Sequence, residues 1–318
     1  MFDINEGIKI INQKYISKNG KSHEGRIIDK KEGYTVIECE TCGFKHIIPL
    51  PEQKDLDAFY EGEYYSSARP NYLKEYEEDI DWWSLCFESY YKELERNCNS
   101  NSKKLLEVGS GPGIFLKVGK DRGWDVVGFE PSKHAYEFSR RFVSNVINDS
   151  FNVEAASKLG LFDVVCMRNV IEHVEDPEKM LKDVKSVIKP GGLFFIITPN
   201  DYNPLQLILK EKLEFKPYWV APPQHINYFN FKSIKMLLKR LNFEIIKPIT
   251  SSEFPMEFFL LSGDNYVNNN ELGRQCHVKR KELEKNLYKY DESLLKSIYH
   301  FFADKEIGRE FIIFAKSK

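Results

Sequence analysis

At 318 residues, 42% of them hydrophobic and 30% charged, the chain is long enough for one large domain with an appendage, or for two domains, with a full core. Its formal net charge of −2 gives no global field that invites nucleic acid or an anionic membrane, so neither is expected as a partner. Of the 6 cysteines only Cys39 and Cys42 lie close together, which is no disulfide framework. The opening MFDINEGIKI lacks the basic and apolar blocks of a leader, and no apolar run is long enough to span a bilayer. A reduced, cytoplasmic protein is expected.

In chain order, residues 1–70 are read as a small β-rich module, with strand-like runs GRIID, YTVIEC and FKHIIPLP. Residues 71–101 form an aromatic helical connector, carrying Tyr72, Tyr76, Trp82, Trp83, Phe87, Tyr90 and Tyr91 and ending in the polar stretch NCNSNSKK. From 102 to 318 strand and helix signals alternate. KLLEV is a buried strand, GIFLKVGKDRG a helix closed by Gly123, WDVVGFE a strand, and SKHAYEFSRRF a helix opening after Pro131. NVIND and FDVVCMRNV follow as strands. PEKMLKDVKSVIKPGG places Met180, Leu181, Val184, Val187 and Ile188 on one helical face before a Pro-Gly-Gly stop, and LFFIITP is again a strand. NFKSIKMLLKRLN reads as an amphipathic helix, FEIIKPI as a strand and GREFIIFAKS as the last strand. The insertion between them, about 252–307, is too long for a plain connection and is expected to lay helices over a pocket. Such alternation argues for an α/β fold with a parallel sheet, whose ligands sit beyond the carboxyl ends of the strands.

The loop in KKLLEVGSGPGIF opens at that edge. A dinucleotide fingerprint would need its third glycine at Ile114, and a P-loop would need Lys and Ser/Thr where Ile114 and Phe115 follow Gly113. Neither phosphate reader fits, which disfavours a nicotinamide oxidoreductase. What remains is an acid at the strand end, Glu107, then Gly109, Ser110, Gly111 and Gly113, then a second acid, Glu130, before Pro131. A carboxylate at the tip of the second strand can accept from both ribose hydroxyls of an adenosine and repels a phosphate there. Asp149 can accept from an adenine amino group while the Ser150 amide donates.

With LLEVGSGPG, GFEPS, NDSF, FDVVCMRNVIEHVEDPEKML and IKPGGLFFIITPN in order from about Lys103 to Lys247, the chain resembles the class I S-adenosylmethionine-dependent methyltransferases. The resemblance implies a Rossmann-like seven-stranded sheet with its last strand antiparallel. It places Glu107 and the glycine loop at the methionine part, Glu130 at the ribose, Asp149 and Ser150 at the adenine, and Asn169 beside the sulfonium. The cofactor implied is S-adenosyl-L-methionine, and the acceptor a small molecule such as a sugar, nucleotide sugar, lipid-linked or natural-product metabolite. A module that binds the donor without catalysis is the competing reading. The front end CETCGFKHIIPLPEQKDLDAFYEGEYY is similar to those of sugar- and polysaccharide-modifying methyltransferases, though with fewer cysteines.

A sulfonium is already a strong methyl donor, so the protein must mainly align the nucleophile and, for a hydroxyl or carbon acid, supply a base. His225, in YWVAPPQHINYFN, is the favoured base, with His173 and Glu172 in VIEHVEDP as the other candidates. A divalent metal at the Glu172–His173 motif, as in ubiquinone-pathway O-methyltransferases, would need a Glu where Asn169 stands. In the insertion, Glu257, Asp264, Tyr266, Arg274, His277 and Arg280 read as substrate-lid material, with Arg274 or Arg280 able to hold a phosphate or carboxylate. At the front, His23, Cys39, Cys42 and His46 are a permitted tetrahedral zinc set, structural and remote from methyl transfer. A redox role for the cysteine pair is not expected, because it follows a strand and does not open a helix.

Overall fold

The computed structural model describes residues 11–68, 70–98, 100 and 102–318; the opening segment read above as free of a leader lies outside the described residues. The chain begins with β1 (Asn12–Ile16), β2 (Ser22–Lys31), β3 (Tyr34–Cys39) and β4 (Phe44–Ile48), an antiparallel meander. Helix α1 (Gln53–Ala58) and a π-helical stretch, Phe59–Ala68, follow where the sequence was read as part of the β module. Next come α2 (Tyr72–Glu78) and α3 (Ile80–Asn97). The alternating part runs β5 (Lys104–Val108), α4 (Ile114–Asp121), β6 (Asp125–Phe129), α5 (Lys133–Ser139), β7 (Val146–Ile147), α6 (Val153–Lys158) and β8 (Phe162–Arg168). It continues through α7 (Pro177–Ser186), β9 (Ile188–Pro199), α8 (Pro204–Lys212), β10 (Asn227–Tyr228), α9 (Phe231–Arg240) and β11 (Phe243–Ser251). Helices α10 (Glu257–Leu261), α11 (Asn270–Tyr290) and α12 (Glu292–Asp304) precede β12 (Glu310–Ser317).

Seven strands form one sheet in the order β11-β12-β9-β8-β5-β6-β7, and β12 runs antiparallel to both neighbours. The pleat explains why both faces are covered. Val164 and Cys166 of β8 pack with Phe87, Tyr91 and Phe115 on the α3–α4 side, while Val165 and Met167 pack with Leu181, Leu237 and Leu238 on the other. Helix ends follow local chemistry: the Asp176 side chain caps α7 ahead of Pro177, Asn230 and Ser233 form a reciprocal cap on α9, and Gly123 (φ 81°) follows α4. One expectation shifts: α7 stops at Ser186, and Ile188 already belongs to β9, paired with Phe162.

The second sheet has the order β1-β2-β3-β4-β10. Its last strand comes from residues 227–228, so the front meander is stitched into the larger body rather than hung from it. Ile37, Cys39, Phe44 and Ile48 share a core cluster with Leu106 and Met167 of the parallel sheet. Among the described residues no helix is long and apolar enough to cross a membrane.

Candidate active site

Strand β5 delivers the glycine loop to the carboxyl edge of the sheet. The loop needs glycine for two reasons. Gly109 and Gly113 have φ of 67° and 77°, and a Cβ at either would stand 2.6 Å from a neighbour, Val170 Cγ2 or Ser139 Cβ. The loop is then pinned by Ser110 N–H on the Phe129 carbonyl (2.9 Å) and Gly111 N–H on Glu130 Oε2 (2.7 Å). Glu130 Oε1 accepts from Ser132 N–H (2.9 Å). Burial pushes the Glu130 carboxyl up to about 7 against the pull of those two amides.

Glu107 is fully buried, and its Oε1 takes Nε and Nη2 of Arg168, each at 2.7 Å. Burial raises this carboxyl to about 7 although Arg168 opposes it, and Oε2 has no partner among the described residues. Arg168 lies over the rings of Phe87 and Phe115 at 4.6 and 4.8 Å. Sequence reasoning missed Arg168: a basic residue at a strand end carries no signal until the neighbouring strand's acid is known.

These groups open onto a cleft of about 1740 Å³. Gly109, Ser110, Gly111, Glu130, Pro131, Ser150 and Asn169 line it; Gly113, behind the loop, and Glu107 do not. Asp149 is exposed, away from the lining, and its Oδ1 already accepts the Ser150 N–H at 2.8 Å. The expected adenine pairing, in which that amide donates to the base, is therefore not set up; Ser150 Oγ is turned to Asp57 at 3.3 Å. Asn169 adopts φ 51° and donates to Glu310 Oε1 at 3.1 Å, bringing a carboxylate of β12 to the end of β8.

On the far side of the loop, Glu172, His173 and His225 all line the cleft. The His173 Nδ1 lies 2.7 Å from the Gln224 carbonyl and 2.7 Å from Tyr60 Oη. A carbonyl only accepts, so Nδ1 carries the proton and Nε2, 3.7 Å from Glu172 Oε1, is left with its lone pair. Burial holds His173 down at about 4 and His225 at about 3, the latter also through His173, whose ring meets it edge-on at 4.7 Å. Both rings are neutral near pH 7, which makes His225 a weak base. Glu172 is raised to about 7 by burial, with its own amide and the Thr198 hydroxyl (2.8 Å) opposing. Tyr60, unforeseen, comes from the π-helical stretch.

The insertion supplies part of the cleft wall, as expected, through Tyr266, Arg274 and His277, but not every residue read as lid material faces the cleft. Arg280 is 1% exposed and bound to Glu253 (2.8 Å) and Glu284 (3.3 Å), so it is a structural charge and not an anion-holding lid residue. Arg274 is solvent-facing, 3.6 Å from Glu78, and His277 sits 3.6 Å from Asp79. Glu257, buried, accepts from Tyr218 and Gln206 at 3.2 Å each; Tyr266 lines the cleft and Asp264 does not.

Away from the cleft, ligand atoms of His23, Cys39, Cys42 and His46 lie within 4.8 Å of one another, all four residues buried. His23 Nδ1 stands 3.1 Å from His46 Nε2, 3.4 Å from Cys42 Sγ and 3.9 Å from Cys39 Sγ. Bond lengths of about 2.0–2.1 Å to nitrogen and about 2.3 Å to sulfur give tetrahedral edges of roughly 3.3–3.8 Å; the distances from His23 Nδ1 bracket that range, and two imidazoles with two thiols are a donor set that suits zinc. His46 Nδ1 is 2.9 Å from the Ile47 carbonyl, to which it donates, and this leaves Nε2 aimed at the cluster.

Residues 82–247, half of the chain, match the family described as Methyltransferase domain. A ubiquinone biosynthesis O-methyltransferase of Vibrio parahaemolyticus is 29% identical over 154 residues, 41% of this chain and 63% of that protein. Its namesake from Escherichia fergusonii is 32% identical over 139 residues, 37% and 56% of the two chains. The chain thus spans less than two thirds of the length of these curated relatives. Magnesium protoporphyrin IX methyltransferase from Synechocystis PCC 6803, solved with S-adenosylhomocysteine bound, superposes with a TM-score of 0.50 at 12% identity over 84% of this chain and 100% of that one, a likeness of fold. With the family match spanning the glycine loop and both flanking acids, and the seven-stranded sheet carrying its last strand antiparallel, the chain belongs to the class I S-adenosylmethionine-dependent methyltransferase family.

Proposed function

We propose that the protein transfers the methyl group of S-adenosylmethionine to a small-molecule acceptor. The observation that carries this reading is the pairing of the Gly109–Gly113 loop with Glu130 at the mouth of a cleft of about 1740 Å³. Pockets for one small ligand run to about 300–1,000 Å³, so the space accommodates donor and acceptor together. Each Glu130 oxygen spends one lone pair on a backbone amide and keeps another for a ribose hydroxyl. Ser150 and Asn169 line the same cleft, where on this reading Ser150 would face the adenine side and Asn169 the sulfonium. When bound, S-adenosylmethionine supplies an electrophilic methyl carbon; the acceptor's lone pair forms the new bond while the carbon–sulfur pair returns to sulfur.

The proton that the acceptor sheds goes to Glu172 Oε1. A carboxyl near 7 is matched to neutral pH, whereas imidazoles near 3 and 4 are not. His173 and His225 then shape the acceptor end, with Tyr60 closing over His173. The O-methyltransferase names of the relatives favour a hydroxyl acceptor. A panel of phenols, sugars and nucleotide sugars, incubated with methyl-labelled donor and read by mass spectrometry, tests this. Label in a hydroxyl compound, lost in Glu172→Gln, supports it; label in no member, while donor is bound, removes the small-hydroxyl reading.

The knuckle His23–Cys39–Cys42–His46 is read as a closed structural zinc site. Metal analysis of untagged protein is expected to give about one zinc per chain, and Cys42→Ser to abolish it. Metal-free protein that is folded and active would rule the site out.

A further inference from the structure

The front module reaches the acceptor side through a continuous set of hydrogen bonds. His46 on β4 stands opposite Asn227 on β10, and Ile47 N–H donates to the Ile226 carbonyl at 3.0 Å. Ile226 N–H in turn donates to the Glu172 carbonyl at 2.9 Å. Asn227 is 1% exposed, and its Nδ2 donates to the carbonyls of Ile171 (3.2 Å) and Val174 (2.7 Å), which bracket Glu172 and His173. Two residues before Ile226, the Gln224 carbonyl fixes the His173 Nδ1–H. The strand that carries a zinc ligand is therefore bonded directly to the backbone that aims Glu172 and His173. The donor loop hangs instead on Phe129 and Glu130, inside the parallel sheet.

We propose that Asn227 is a positioning residue through which the zinc knuckle sets the acceptor side, so that metal occupancy governs the geometry of Glu172 and His173 and leaves donor binding alone. The proposal rests on reading those two residues as acceptor-side groups, and it replaces the remote zinc site expected from sequence. The physical cause is twofold. Without its metal, β4 loses the bonds that fix His46 against β2 and β3. Without both amide protons of Asn227, the carbonyls of Ile171 and Val174 lose that donor in a buried site, which favours their local rearrangement.

The test compares zinc-loaded wild type, chelator-stripped wild type and zinc-loaded Asn227→Asp, which keeps the side chain's size but turns an acceptor toward both carbonyls. Three quantities are read: hydrogen exchange in peptides covering 169–176 and 222–229 against 105–114, the His173 tautomer by nitrogen NMR, and affinity for S-adenosylhomocysteine by calorimetry. In both perturbed proteins, exchange at the His173 and Ile226 amides is expected to quicken about tenfold or more and the Nδ1–H signature to fade, with affinity held within about twofold. Unchanged exchange and tautomer would overturn the proposal. So would equal quickening in 105–114 with loss of donor binding, the mark of general unfolding. Should zinc-loaded wild type bind no S-adenosylhomocysteine, the donor reading fails, while the exchange comparison still decides the coupling.

Discussion

In the proposed reading Glu130 takes the donor as an ionised acceptor, yet burial holds its carboxyl up to about 7 in the free protein. Below that pH it must lose a proton before it can accept from both ribose hydroxyls. Affinity for S-adenosylhomocysteine should therefore rise with pH through about 7 and level off above it. Glu130→Gln should flatten that dependence and weaken binding by roughly 10- to 100-fold, the weight of about 1.5–3 kcal/mol for hydrogen bonds to a charged group. Calorimetry at pH 6 and 8 measures both. Glu172 carries the corresponding expectation for turnover. At saturating donor and acceptor, kcat should climb through about 7, and Glu172→Gln should lower it by about 10²- to 10⁴-fold with donor affinity unchanged. A rate insensitive to this change would return the base to another group.

At the scale of elements, helix α11 is locked by a buried charge cluster. Arg280 bridges Glu253 and Glu284, lies over Trp82 at 4.9 Å, and Glu284 accepts from Trp82 Nε1 (2.9 Å) and Phe254 N–H (2.7 Å). Arg280→Met should cost about 3–5 kcal/mol, because buried Glu284 loses its counter-ion and Glu253 keeps only Arg309 (3.3 Å), and should show as a lower midpoint in thermal or urea unfolding. An unchanged midpoint would mean that Arg309, Trp82 and the Phe254 amide hold the cluster without Arg280. Arg280 could not be sorted from a sequence: its partners Glu253 and Trp82 are far along the chain, and an Arg on a polar helix reads as solvated. The strands, in contrast, were legible, since apolar runs such as Leu105–Val108 and Val164–Met167 announce burial locally, and the glycine loop carries its own spacing. The zinc set was legible from Cys39 and Cys42, with His23 and His46 confirmed as neighbours only by the β2–β3–β4 pairing. Tyr60 and β10 were not legible, one lying in a π-helical stretch and the other two residues long.

For the molecule as a whole, two sheets of different kind meet along one cleft, the parallel sheet presenting the glycine loop and the antiparallel one ending beside Glu172 and His173. Each side should fail separately: changes at the loop should abolish donor binding, and changes at the knuckle should leave it. Gly109→Ala tests the first half, as its Cβ would stand 2.6 Å from Val170 Cγ2 on a backbone with φ 67°. It should bind S-adenosylhomocysteine at least about tenfold more weakly, while Cys42→Ser stays within about twofold of wild type. The most direct measurement of the central claim is calorimetric titration of S-adenosylhomocysteine into wild-type protein and Glu130→Ala at pH 8. The account predicts one saturable site per chain in the wild type and strongly weakened binding in the variant. No saturable binding to the wild type, or equal affinity in the two proteins, would contradict it.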